Sequence, residues 1–361
     1  MELHDLVQAA PSWLSGTDDA GGIVISCRAR LARNLADYPF AATISEVQQR
    51  ELIETVLEAA KKSRRLATAN YFNMGALDSN DRRVLVERHL ISPALADGTG
   101  ERAVLFNADE SLSVMINEED HLRLQALAPG QGGAEAWASV NALDDEISAA
   151  LQVAYSDERG FLTACPTNTG TGLRVSGLMH LPALVLTEDM ERVIQGLTQL
   201  SFTVRGVYGE GTNAAGNLFQ VSNQSTLGKS EKEIVEGLIG ITRRLVEFEQ
   251  DAQEALVGEA RSQVEDKVWR AFGLLCNSRI LSSQEFMNLL SAVRLGFSLS
   301  LIKQVPPGFM NHLMIVTQPA HLQADARKGL RSEERDQRRA GIVRSRISGL
   351  LRDADAGASK E

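Results

Sequence analysis

The chain has 361 residues, 43% hydrophobic and 23% charged, with a formal net charge of −10, the composition of a soluble globular protein long enough for two domains. Residues 1–258 hold 21 Lys+Arg against 36 Asp+Glu, and residues 259–361 hold 16 against 11; the acidic front does not look like a nucleic-acid binder, and the modest basic excess behind it reads as solvated helical surface, with the binding of something anionic as the alternative. No apolar run approaches the roughly 20 residues of a membrane span and no secretory signal is visible, while three scattered cysteines without a CxxC point to a reducing cytoplasm, not to a disulfide framework or structural zinc.

Residues 22–34, GIVISCRARLARN, begin as a β-rich apolar run and pass into an arginine cluster. Residues 46–65 place Val47, Ile53, Val56 and Leu57 on one side, which predicts a helix. RRVLVERHL (82–90) and RAVLFN (102–107) read as strands, and SLSVMIN (111–117) alternates at period two. PGQGG (129–133) predicts a loop before a helix over 134–154. Residues 161–182 read as strand, Gly/Thr/Asn turn and strand, and LFQVSNQ (218–224) as another short strand. From about Ser230 the texture is helical. Ser230 with Glu233 makes a capping box that opens a long helix through Phe248, and Ser282 with Glu285 opens another. PPGFMNHLMIVTQP predicts a proline-bounded helix and SEERDQRRAGIVRSRISGLL a terminal one, with the closing ADAGASKE disordered. The expected division is a mixed α and β part over 1–258 and an all-helical part over 259–361.

Familiar phosphate and metal motifs fail. LGKS (227–230) lacks the glycine a P-loop needs at position 223, which is Asn223, and the cap of the following helix accounts for it. Neither GTGLRV nor GEGTNAAG satisfies GxGxxG, and NEEDH (117–121) has no second histidine at helical spacing for a catalytic zinc. The alternative to a glycine cradle is an arginine cage, because guanidinium groups stay charged and grip phosphate oxygens in a fork. Arg28 and Arg30, two apart at a strand end, can share a face. Arg123 closes NEEDHLR, Arg174 follows CPTNTGTGL, and Arg205 precedes a glycine-bearing turn.

In order, SCRAR (26–30), ERHL (87–90), NEEDHLR (117–123), CPTNTGTGLR (165–174) and RGVYGEG with SNQSTLGKSE (205–231) resemble the blocks of the phosphagen (guanidino) kinases, over roughly residues 20–250. The resemblance implies an α+β, glutamine-synthetase-like catalytic domain, an antiparallel sheet flanked by helices, followed here by an all-helical C-terminal domain. Its reaction moves the γ-phosphoryl group of Mg-ATP to a guanidinium nitrogen. It further implies that Arg28, Arg30, Arg123, Arg174 and Arg205 hold the ATP phosphates, with Ser26, Cys27 and Ala29 in the same segment as the first two. His89 falls near the nucleoside; Val175, Ser176, Gly177 and Leu178, and Gly206, Val207, Tyr208 and Gly209, fall in nucleotide-contacting segments. Glu119 and Glu210 match the two carboxylates that hold the acceptor, and Cys165 the cysteine beside it. Glu118 and Asp120 fall where contacts to magnesium through water are expected, with a structural role as the alternative and no direct metal ligand. His121 has no expected role beyond support. The residue types suit the chemistry: a guanidinium with a pKa above about 12 is a poor nucleophile, so a carboxylate must orient it and receive a proton.

Three departures narrow the resemblance. The family's helical domain ahead of the arginine block has no room before Cys27, Tyr208 stands where arginine kinases carry arginine, and Leu178 where a histidine is usual. These features resemble the bacterial protein-arginine kinases of the McsB type. RDQRRA (335–340) resembles that subfamily's RDxxRA element and implies an allosteric phosphoarginine pocket from Arg335, Asp336 and Arg339. Expected partners are proteins with exposed arginines and a second copy of the chain, docked through apolar faces at Leu289, Leu290 and Val293 and at Ile342, Val343, Ile347 and Leu350, with intradomain packing as the alternative. By resemblance alone, an activator protein and Clp protease machinery in a stress response join them; neither nucleic acid nor a membrane is expected. The alternatives are a kinase for free arginine or another small guanidine, and a catalytically silent phosphoarginine-binding adaptor.

Overall fold

The computed structural model describes residues 6–7, 9–15, 21–207 and 214–358. The strands are β1 (Val24–Arg33), β2 (Asn70–Asn73), β3 (Ala103–Phe106), β4 (Leu112–Ile116), β5 (Leu122–Pro129), a small ribbon β6 (Tyr155–Ser156) and β7 (Gly160–Phe161), then β8 (Leu173–His180), β9 (Phe202–Gly206) and β10 (Leu218–Asn223). Eight of them form one sheet in the order β2-β3-β4-β5-β1-β8-β10-β9. Each neighbouring pair runs antiparallel. The helices are α1 (Glu46–Lys62), α2 (Ser79–Glu87), α3 (Pro93–Asp97), α4 (Gly133–Ser148), α5 (Pro182–Leu186), α6 (Met190–Gln199), α7 (Glu231–Asn277), α8 (Ser283–Ser298), α9 (Pro307–Val316), α10 (Pro319–Ala326) and α11 (Ser332–Ala358). Among the described residues no helix is long and apolar enough to cross a membrane.

Side-chain alternation decides what each sheet face carries. On β1, Cys27, Ala29 and Leu31 turn to one side, with Ala126 and Leu124 of β5 and Val175 of β8 opposite the last two. These residues form a core with Val140, Leu143 and Ile147 of α4 and Ile234, Leu238 and Leu245 of α7. Each aliphatic side chain buried there contributes about 1.5–3 kcal/mol. The opposite face is divided. Leu127, Leu178 and Leu218 lie under the C-terminal helices, in a second core with Met287 and Met310. The polar half of that face carries the arginines.

Several elements differ from expectation for physical reasons. Residues 82–90 are not a strand: Asp78 caps α2 by accepting from the Asp81 amide, and the helix buries Val84 beside Leu85. The buried stripe of α1 is Leu52, Ile53, Val56, Ala59 and Ala60, while Val47 is 62% exposed. β4 alternates in polarity yet is buried throughout, because Val114 and Ile116 enter the main core and Met115 enters another with Leu85 and Leu95. The helix expected to end at 154 stops at Ser148. Both Ser230 and Ser282 make their cap bonds, to the Glu233 and Glu285 amides, and the Ser230 box is reciprocal. α7 runs past Phe248 to Asn277 with a break at Ala260 (φ −138, ψ 36), so the expected division at 258/259 falls inside it. The backbone of α11 remains helical to Ala358 where disorder was expected. Leu290, Val293, Val343 and Ile347 are buried in the C-terminal core, and Leu289, Ile342 and Leu350 pack against it.

Candidate active site

Strand register gathers the five arginines. Arg28 and Arg30 alternate away from α4 and α7; Arg30 stands opposite Arg174, and Arg123 stands opposite Ala32. On the far side, Gln220 of β10 is opposite both Leu178 and Arg205. All five arginines therefore face one way, and they line a single cleft of about 410 Å³ with Glu119, Cys165, Thr167, Asn168 and Gln220. Arg33 has the other parity. It is buried against Asp144 of α4, with Nε at 3.0 Å and the second amine at 2.7 Å, and over the Phe161 ring at 3.4 Å.

The cleft is crowded with positive charge. Burial, then Arg174 and Arg123, lower the Arg28 pKa to about 10. Arg30 is lowered well below its ordinary value by burial and then by Arg28, Arg123 and Arg174, with Glu118 opposing. Arg174 is lowered by burial, then by Arg205 and Arg123. Guanidinium groups stay protonated near neutrality, so these directions register mutual repulsion and lost hydration. Two contacts inside the cage are to neutral groups: Arg28 donates to the Gln220 amide oxygen at 3.3 Å and Arg174 to the Ser222 hydroxyl at 3.0 Å. The buried Nε of Arg174 has no protein partner. Such a set suits a polyanion.

NEEDHLR is the hairpin between β4 and β5. Asn117 takes a left-handed backbone (φ 60) and donates to the Gln49 and Glu101 carbonyls at 3.0 and 2.9 Å. The acids that follow diverge. The Glu118 side chain is 3% exposed, paired with Arg123 at 2.7 Å and bonded by the Ser92 hydroxyl. Glu119 is 46% exposed and 3.2 Å from Arg123. Asp120 turns inward: its Oδ1 accepts from Asn34 Nδ2 and from the Ala164 amide, both at 2.7 Å, and its Oδ2 has no protein partner. His121 Nδ1 accepts from the Leu35 amide at 3.1 Å and Nε2 donates to the Pro39 carbonyl at 2.8 Å. Burial lowers its pKa, so His121 is a neutral latch between the hairpin and the chain leaving β1. Among the described residues no group of three or more His, Cys, Asp or Glu could hold a metal ion. Glu118 is already paired with Arg123, and Asp120 is engaged on one oxygen.

Cys165 is half-buried in the cleft wall, its sulfur 3.0 Å from the Thr167 hydroxyl. Its loop is pinned by Asp120 at the Ala164 amide and by Gly170 (φ 110), where a Cβ would lie 2.7 Å from the Thr226 carbonyl. His89 follows α2 at φ 63; its carbonyl accepts from Gln125 at 2.7 Å and its ring lies 5.1 Å from that of Trp13. Burial, then Arg28, push its pKa down to about 3, so the ring is neutral.

Other expected residues are placed differently. The side chains of Cys27, Ala29 and Val175, with the bare Gly177, take the helix-covered face rather than the cleft. Ser26 and Ser176 are buried on the arginine face, and Leu178 lies under the C-terminal helices. Gly206 closes β9 and Val207 packs against the C-terminal core. Tyr208, Gly209 and Glu210 lie outside the described residues. In α11, Arg335 donates to the Leu330 carbonyl at 3.0 Å. Arg339 is buried and donates to the carbonyls of Thr317 (3.0 Å) and Leu281 (2.7 Å) and to Asp336 (2.6 Å). Gln220 and Ser222 were not anticipated. Their signal was two polar residues at period two inside an apolar strand.

The family model for the ATP:guanido phosphotransferase C-terminal catalytic domain matches residues 50–252, and that for the protein-arginine kinase McsB C-terminal domain matches residues 261–357. A protein-arginine kinase of Moorella thermoacetica is 47% identical over 340 residues, spanning 93% of this chain and 97% of its own. One of Symbiobacterium thermophilum is 45% identical over 353 residues, spanning 96% and 100%. The crystal structure of lombricine kinase is similar at a TM-score of 0.57 and 26% identity, over 69% of this chain and 72% of that one. By both family models and by relatives matched over nearly its whole length, the chain belongs to the protein-arginine kinase family of ATP:guanido phosphotransferases.

Proposed function

We propose that this chain transfers the γ-phosphoryl group of Mg-ATP to arginine side chains within proteins. The observation that carries the reading is the gathering of five arginines from four strands around one cleft that also holds Glu119 and Cys165. The cage binds the triphosphate and neutralises the group in transit, which is most of what phosphoryl transfer asks of a protein. Glu119, with Glu210, orients the acceptor guanidinium. A carboxylate takes its proton as the N–P bond forms and the bond from the γ-phosphorus to the bridging oxygen breaks, leaving ADP. Magnesium supplies further charge neutralisation on the phosphate oxygens. Cys165 lines the acceptor side, and the neutral His89 faces the nucleoside. A polypeptide acceptor is supported by relatives named protein-arginine kinase that match nearly the whole chain.

The test is phosphate on arginine of a substrate protein, read by mass spectrometry under non-acidic conditions, with free arginine assayed beside it. Glu119→Ala and Glu210→Ala are expected to abolish transfer while ATP still binds; near-normal turnover in either overturns the assignment.

The same proposal includes a cytoplasmic setting, an activator protein and delivery of marked proteins to a Clp-type protease under stress, all resting on the resemblance. It also includes a phosphoarginine pocket at Arg335, Asp336 and Arg339, and a homodimer. Exposed Trp269, Leu274 and Ile280 at the end of α7 and just beyond it support the second copy. A monomer by sedimentation at micromolar concentration would remove the dimer.

A further inference from the structure

We propose that Glu87 and His321 are positioning residues for ATP: they clamp the turn that carries His89 onto the C-terminal helices, making those helices part of the nucleotide site. The inference rests on the reading that His89 faces the nucleoside.

Three consecutive residues at the end of α2 have three directions. The Glu87 carboxylate accepts from the Ala320 and His321 amides at 2.8 and 3.0 Å, capping the first turn of α10, and from the His321 ring at 2.7 Å. A carboxylate at a helix N-terminus satisfies amides that otherwise lack partners and complements the helix dipole. The His321 Nε2 lies 3.5 Å from the Arg88 guanidinium. Arg88 is fully buried, paired with both oxygens of Glu110 and bonded to the Ala9 carbonyl at 3.0 Å. His89 then turns back with a left-handed backbone, a conformation that a non-glycine residue keeps only when its surroundings hold it.

A second route reaches the same ring. Trp13, which packs on His89, belongs to the turn Ser12–Leu14, and the Leu14 carbonyl accepts from Asn311 of α9 at 3.3 Å. The His89 turn is thus held from two sides by the C-terminal helices, through α10 at Glu87 and through α9 at Trp13. On its third side Gln125, from the strand that bears Arg123, holds the His89 carbonyl. Neither Glu87 nor His321 lines the arginine cleft, so the clamp acts on it through the turn that carries His89.

The test uses the full chain, with KM for ATP, KM for an arginine-containing substrate protein, kcat and melting temperature measured together. Glu87→Gln and His321→Phe are expected to raise KM for ATP about tenfold, the scale of losing charge-assisted hydrogen bonds, and to leave kcat and the acceptor KM within about twofold. Asn80→Ala, which cuts the neighbouring contacts to the Ala320 carbonyl and to Gln323, is expected to leave KM for ATP unchanged. His89→Ala separates the two claims. If it raises KM for ATP while Glu87→Gln and His321→Phe do not, the clamp is wrong and the placement of the nucleoside stands. If His89→Ala leaves KM for ATP unchanged, the placement itself fails and the clamp with it. Equal losses in both KM values and in melting temperature for Glu87→Gln and Asn80→Ala would reduce the clamp to ordinary domain packing and overturn the proposal.

Discussion

Asp120 allows a structural role to be told from a metal-side role at one acid of the hairpin. Both of its hydrogen bonds, from Asn34 and from the Ala164 amide, end on Oδ1. Replacement by alanine strands two buried donors at about 1–3 kcal/mol each, a total of about 4 kcal/mol. For a chain of this size that lowers Tm by roughly 5 °C. Replacement by asparagine keeps an oxygen at the Oδ1 position and places an amine where Oδ2 now has no partner. Its cost is the charge assistance of the two bonds and one unpaired amine, about 1–2 kcal/mol. Thermal unfolding by calorimetry, with initial rates of protein phosphorylation on the same preparations, is the assay. If Asp120 is a fastener, Asp120→Asn retains most activity and most stability, and Asp120→Ala loses both as the Cys165 loop comes free. An Asp120→Asn variant with native Tm and abolished turnover would refute the reasoning and return Asp120 to the magnesium side. An Asp120→Ala variant with unchanged Tm would show that the two bonds are not made.

Two further predictions follow from the cage and from buried histidines. Arg174→Ala is expected to lower kcat/KM for ATP by at least about 100-fold, the scale of losing one charge-stabilising donor, yet to leave Tm of the nucleotide-free protein unchanged or higher, since it relieves repulsion at Arg30 and Arg205; a large fall in Tm would contradict that balance. His89 is pushed down to about 3 by burial and then Arg28, and His312 to about 4 by burial and then Arg346, both from an ordinary 6.5. Burial, then Arg294, lowers His180 as well. These groups take up protons on unfolding below pH 6.5, so their stabilisation is complete above that pH and is lost as pH falls toward 4. Tm should therefore drop steadily between pH 7 and pH 5, and a flat profile would contradict the neutral histidines.

What could be read from the sequence was what lies in short spans. The spacing of Arg28 and Arg30 fixes a shared face, and the Ser230 cap with Glu233 fixes a helix start; both are local. Arg123, Arg174 and Arg205 reach the same cleft only because β5, β8 and β9 take their places around β1, and nothing within a strand states its neighbours. RRVLVERHL misled because Val84 and Val86 mimic period two, whereas the deciding feature is the cap at Asp78. Asp120 and His121 find their partners about 86 residues earlier in the chain, at Asn34 and Leu35, so their structural roles were invisible beside the acids that surround them. Arg339 shows the same limit: its pairing with Asp336 follows from helical spacing, but its bonds to the Leu281 and Thr317 carbonyls depend on how α11 docks.

Arg30 standing opposite Arg174 makes the two middle strands repel at the floor of the cleft. A ligand there is weighed first by the number of negative charges it brings and only afterwards by its shape. Triphosphate therefore outranks diphosphate, and diphosphate outranks a single phosphate, before the base is touched. Handing one phosphoryl group to the acceptor removes part of what held the nucleotide down. On the proposed reaction, ADP is therefore expected to bind this cleft more weakly than ATP.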